Sequence, residues 1–483
     1  MRTSPALLVA ILALAVALDG ATRGVPNDEA AVSHALNRLA FGPRPDDVAR
    51  VMKIGLSRWI DQQLEPARIA NGPLEGRLAR LQTLTFDSAT IGRMFFEARQ
   101  QRQAQQRPAS GDAPMAAGDS SGTAVVNPAM LAQRRIFSEL AEAKLLRAVY
   151  SERQLEEVLV DFCFNHFNVF ARKGQTGIYV GEYERDAIRP HVFGRFRDML
   201  GATASHPAML FYLDNWQSVA PNPGPARQVN GAQNNRPQRG LNENYARELL
   251  ELHTLGVDGG YTQDDIVQVA RALTGWTIRR PGDGGGFRFA ANLHDRESKT
   301  VLGQKIPAGG GIEDGERVLD LLAHHPSTAR NIAFKLAQRF VSDAPPEALV
   351  ERAAKTFQQS DGNLREVVRA IITSPEFFAR GVRLAKVKTP FEFVASALRA
   401  TGADVRTGQA ITRTLGEMGM PLYMCQPPTG YDDTADTWVS SGALVTRINF
   451  AVALTRGQFR GIELASSPQI DALALGAPDF QKQ

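Results

Sequence analysis

The chain has 483 residues, 43% of them hydrophobic and 22% charged, a composition that excludes disorder of the whole chain and allows a large core. Its 55 basic and 51 acidic residues leave a formal charge of +4. That balance, without a dense Lys/Arg cluster interleaved with aromatics, argues against a nucleic-acid partner.

Arg2 followed by the apolar run 5–18 has the charged start and short hydrophobic region of a secretory signal, so residues 1–21 read as a signal peptide. The run is shorter than the roughly 20 residues a spanning helix needs. Membrane contact is therefore expected only through this segment before cleavage, and the mature chain is expected in the periplasm or outside the cell. Two cysteines, Cys163 and Cys425, would permit one disulfide there but no disulfide framework; Cys163 reads as a buried free thiol acting as a small hydrophobe.

From 29 to 64 the apolar residues recur at helical spacing, interrupted by Gly42-Pro43. Residues 100–127 are Gln, Ala, Pro, Gly and Ser and read as a disordered insertion, because they offer too little apolar surface to offset ordering entropy. Helical periodicity returns over 132–169 and 191–200. A second polar stretch, 220–239, reads as a flexible loop able to cover a site. It leads into 240–256, where a helix at about 100° per residue gathers Asn244, Arg247, Glu248 and Glu251 on one face and Tyr245, Leu249, Leu252 and His253 on the other. Arg247 and Glu251 would form a pair worth a few tenths of a kcal/mol. Residues 266–273 are helical; 287–289 and 299–302 predict one small hairpin. Helices follow over 316–322, 329–340, 346–358, 364–372, 390–400 and 444–454. The expected architecture is mainly α: a single large multi-helical domain over 29–450, with a small β-hairpin, long flexible insertions, and a helix end and tail over 451–483.

The candidate chemistry is dispersed. Asn165-His166-Phe167-Asn168 places a histidine in apolar helix, where desolvation keeps the imidazole neutral and able to bind a metal or accept a proton; a satisfied core histidine is the plainer alternative. Glu243, Glu248 and Glu251 could supply a general base or oxygen ligands, and Arg247 an anion clamp. His253 follows Glu251 by two, so the Glu-x-x-His spacing of di-iron bundles is absent. His294 lies in the expected hairpin loop, and His324-His325-Pro326 reads as a helix C-terminus. Pro427-Pro428-Thr429-Gly430-Tyr431 reads as a rigid turn, and nearby Trp438 as a candidate stacking wall.

The segments 34–42, Asn165-His166-Phe167-Asn168, 240–256, 271–277 and Pro428-Thr429-Gly430-Tyr431, in that order, resemble the bacterial family called domain of unknown function 1800. The resemblance covers about 34–450 and implies an exported protein working with an exported sulfatase-like partner; it brings no mechanism. Cys163 departs from the family pattern, which favours Trp before Phe-Asn-His. Two functions remain open. One is a hydrolase or metal-dependent enzyme acting on an envelope or extracellular polymer, with catalytic His166, Glu243, Arg247 and Glu248, and with His166, Glu248, Glu251, His253 and His294 available to a divalent metal. The other is a non-catalytic binding or assembly protein in which the same residues form a structural network.

Overall fold

Helix Leu364–Ile372 shows how the sequence builds this molecule: Leu364, Val367, Val368, Ile371 and Ile372 recur at helical spacing and are all buried, and Asn363 caps the first turn by accepting from the Arg365 amide. The same logic repeats along the chain. The computed structural model describes residues 24–106, 128–221, 240–280, 283–464 and 470–483, and helices dominate them. The signal segment and most of both polar stretches lie outside these residues. Residues 100–106, expected as part of the insertion, are the last turns of helix Ser88–Gln106; their Gln, Arg and Ala residues suit a helix even without an apolar face.

The single hairpin expected near 287–302 is two. Phe287–Phe289 pairs antiparallel with Trp276–Ile278, while Lys299–Val301 pairs with Gln304–Ile306. Trp276, Thr277 and Ile278 were too few, directly after a helix, to announce a strand. A third pair joins Asp404–Val405 to Ile462–Glu463. The C-terminal residues are no loose tail: Gln483 exchanges backbone hydrogen bonds with Lys386, and both Gln481 and Gln483 are buried.

Three helices place the site. Gln154–His166 buries nine of its residues and ends on the Asn165-His166 pair. Pro326–Phe340 starts with proline at its first position, under a His325 cap that accepts from the Ser327 amide. Pro390–Ala400 opens with a reciprocal Thr389/Glu392 capping box and is buried on every side, the mark of a central helix.

The polar helix of the sequence is composite. Asn244–Glu248 is α-helical, and Leu249–Leu255 widens into a π-helix. The Thr254 hydroxyl donates 2.6 Å to the Leu249 carbonyl inside that widened turn. Gly256 ends it at φ +88°, where a Cβ would meet the Asn331 side chain at 3.3 Å; left-handed backbone and close approach together call for glycine.

Candidate functional site

The widening at Leu249–Leu255 leaves its last carbonyls without helical partners, as every helix C-terminus does. Three side chains take three consecutive ones. Lys335 Nζ donates to the Leu252 carbonyl at 3.3 Å, His166 Nε2 to that of His253 at 3.1 Å, and Asn331 Nδ2 to that of Thr254 at 2.7 Å. Asn331 and Lys335 are one turn apart on Pro326–Phe340, so a single helix face supplies two of the three caps.

His166 sits between this cap and a cavity. Because Nε2 faces a carbonyl, it carries the ring proton, and Nδ1 is left as an acceptor 3.4 Å from Lys335 Nζ. Burial, then the charge of Lys335, push the imidazole well below its ordinary pKa, so it stays neutral. Lys335 has no carboxylate partner among the described residues, and burial lowers its amine to about 8.

The cavity holds about 240 Å³ and is lined by Lys144, Asp161, His166, Lys335, Arg339 and Asp433 among others. Its charges are mostly committed. Lys144 pairs with Asp161 at 2.7 Å, and Arg339 pairs with Glu392 and, at 3.5 Å, with Asp433. Lys386 reaches Asp343 at 2.6 Å and Asp433 at 3.5 Å. Among the described residues, Lys335 is the lining cation left uncompensated.

The two asparagines beside His166 build the cavity wall. Asn165 clamps Tyr431 at both ends of its amide, donating to the Tyr431 carbonyl at 2.7 Å and accepting from its amide at 2.8 Å. Asn168 donates to the carbonyls of Cys425 and Pro427 at 3.1 and 2.7 Å. Gly430, at φ +77°, passes so close that a Cβ would stand 2.4 Å from the Asn165 carbonyl oxygen. The turn expected around Pro427 to Tyr431 is thus the rigid loop the sequence suggested. Trp438 is no stacking wall: it is buried and donates its indole N–H to the Asp432 carbonyl at 2.8 Å. Cys163 and Cys425 are both free and buried, without a disulfide.

The other expected site residues fall elsewhere. Arg247 bonds Gln263 at 3.0 Å and lies 3.9 Å from Glu243, rather than pairing with Glu251. Gln263 also donates to Glu243, and Tyr261 donates to Glu251 at 3.0 Å. Glu248 makes no side-chain hydrogen bond or ion pair among the described residues, and burial with the nearby Glu251 charge raises its pKa. His253 is buried with burial holding it at about 3, and its Nε2 finds no partner among the described residues. His294 belongs to a separate buried network, 2.8 Å from the Thr274 carbonyl and 3.3 Å from Asp314, which also receives Lys299 at 2.8 Å. Among the described residues, no three His, Cys, Asp or Glu side chains gather in a way that could hold a metal ion. The expected set of His166, Glu248, Glu251, His253 and His294 is therefore not assembled: His166 meets the polar helix at its carbonyl end, not at its glutamates. Lys335 was missed because its sequence context, an amphipathic helix carrying Arg330, Lys335 and Arg339, gives no sign of which of these cations turn inward.

This is a multi-helical protein with a polar cavity walled by the Gln154–His166 and Pro326–Phe340 helices and the Pro427–Tyr431 turn. The chain belongs to the family described as a protein of unknown function, DUF1800, whose model matches residues 34–480. No curated protein and no solved structure matches it. No helix among the described residues is long and apolar enough to cross a membrane.

Proposed function

We propose that this chain is an exported hydrolase acting on a polar unit of an envelope or extracellular polymer, with Lys335 as the general base. The observation that carries the reading is the placement of the Lys335 amine. Two of its tetrahedral positions face the Leu252 carbonyl and His166 Nδ1, and Lys335 lines the cavity. In the amine form both N–H bonds are used and the lone pair is left for the cavity. There it can take a proton from an attacking water and return it to the leaving group. An amine near 8 suits such exchange close to neutral pH. Neutral His166 orients the amine and adds no competing charge. At about 240 Å³ the cavity is smaller than the usual 300–1,000 Å³ of drug-sized sites, which fits one polar unit at the end of a chain.

The test is hydrolysis of envelope-polymer fractions by wild type and Lys335→Met. The variant should lose about 100-fold or more in rate, and the wild-type rate should rise with pH through about 8. Equal rates in the two proteins would dismiss Lys335 as the base.

One observation favours the second reading, a binding or assembly protein with an exported sulfatase-like partner. Asn165, Asn168 and the His166 Nε2–H are all spent on backbone carbonyls or amides, as in a structural network. Co-purification of such a partner with a catalytically silent wild type would establish it.

A further inference from the structure

We propose that Lys335 is also a covalent site: its amine condenses with the carbonyl carbon of a small hydroxyaldehyde, such as the open-chain end of a sugar, to form an imine. The inference rests on the amine geometry used for the hydrolase reading but not on hydrolysis.

Three observations carry it. Lys335 lines a cavity, and its nitrogen has no carboxylate partner among the described residues, so none of them ties it as an ammonium. Its two neighbours, the Leu252 carbonyl and His166 Nδ1, are both acceptors, so they hold the N–H bonds and leave the lone pair free. The cavity around it is polar but nearly balanced, with Lys144 and Arg339 set against Asp161, Asp432 and Asp433. That lining suits a neutral, hydroxyl-bearing molecule better than an anionic 2-oxo acid.

In the step itself the nitrogen lone pair forms the C–N bond while the carbonyl electrons move to oxygen, giving a carbinolamine. The carbon–oxygen bond then breaks, and both amine hydrogens leave with that oxygen as water. If the imine takes up a proton from solvent, its one N–H still has two acceptors within reach, Leu252 and His166. No oxidant or metal is needed.

Lys388 provides an internal control. Burial lowers its amine to about 7, but it is closed into the core, donating to Ser396 Oγ at 2.9 Å and lying 4.2 Å from the Phe480 ring centroid. A low pKa without access should therefore leave Lys388 unmodified.

The experiment treats the whole protein with glyceraldehyde and sodium cyanoborohydride at pH 7 and maps the reduced adducts by peptide mass spectrometry. At that pH the free-amine fraction of a lysine at about 8 exceeds that of an ordinary lysine near 10.4 by on the order of 100-fold, so Lys335 should be modified first among the lysines. Lys335→Arg, which keeps a donor for the helix cap, should lose this early adduct. Labelling spread over exposed lysines with Lys335 unmodified in the wild type would overturn the proposal, and so would an early adduct at Lys388. Hydrolysis without trapping would sink this inference and leave the general-base reading intact. Trapping without hydrolysis of any polymer fraction would do the reverse.

Discussion

Replacing Lys335 by Met should make the folded protein more stable at neutral pH, although it removes two hydrogen bonds. Burial holds the Lys335 amine at about 8 instead of 10.5, so its charged form carries a folding penalty of about 3 kcal/mol. Methionine fills most of the same volume without a charge. Against this stand the donations to Leu252 and to His166, long at 3.3 and 3.4 Å and together worth about 1 kcal/mol. The net expectation is a gain of about 2 kcal/mol, or roughly 2 °C in melting temperature for a chain of this length. The pH dependence fixes the cause. Below pH 8 the amine is charged in both states and the penalty is complete. From pH 8 to 10.5 the unfolded chain keeps a proton that the folded chain has released, so wild-type stability rises across that window. The advantage of the variant should therefore shrink to near zero by about pH 9.5. Matched scanning calorimetry of both proteins at pH 7 and 9.5 checks this. A Lys335→Met protein less stable than wild type at pH 7, or a gap that does not close with pH, would refute the reasoning and make the lysine a simple structural cap.

Other substitutions have equally definite outcomes. His166→Ala should cost about 3 kcal/mol in urea unfolding, since it strands the buried His253 carbonyl and opens a gap beside Phe162 and Phe167; a loss under 1 kcal/mol would mean that the cap is dispensable. Gly430→Ala should destabilise by more than about 2 kcal/mol through left-handed backbone and the approach to the Asn165 carbonyl, which thermal unfolding would register. Glu248→Gln should leave stability unchanged or raise it at pH 7: its folded pKa is raised, so the penalty on its charge is present above that value and relieved on acidification. A drop in melting temperature would reveal a cation partner for the carboxylate. Neither thiol should react with Ellman's reagent at pH 8 in the native protein, because burial raises Cys163 and holds Cys425 up at about 11; prompt release of thionitrobenzoate without denaturant would contradict that.

Helices were legible in this sequence because their apolar residues face one core: the expected 364–372 helix is the observed Leu364–Ile372. Two strands, Phe287–Phe289 and Lys299–Val301, were legible as well, but their pairing was not, since such three-residue pairs as Trp276–Ile278 with Phe287–Phe289 take their partners from hydrogen bonding at a distance rather than from alternation in either segment. Around the site, His166 was identifiable by its setting among phenylalanines. What sequence could not supply was direction. Glu251 and Glu243 are used by Tyr261 and Gln263, Glu248 has no side-chain partner among the described residues, and the helix offers the site its carbonyl end. That offer depends on the π-turn at Leu249–Leu255, which no residue spacing announces.

The cavity is assembled from stretches far apart in the chain. Asn165 and Tyr431, 266 residues apart, hold one wall, and Lys335 on a third segment supplies another. Such a cavity exists only once all three have come together, so a molecule that occupies it binds the native state and not the unfolded chain. Ligand at 100 times its dissociation constant would then add about 2.7 kcal/mol to the whole fold. A melting-temperature screen of sugars and polymer fragments can therefore find the natural occupant before any reaction has been assayed.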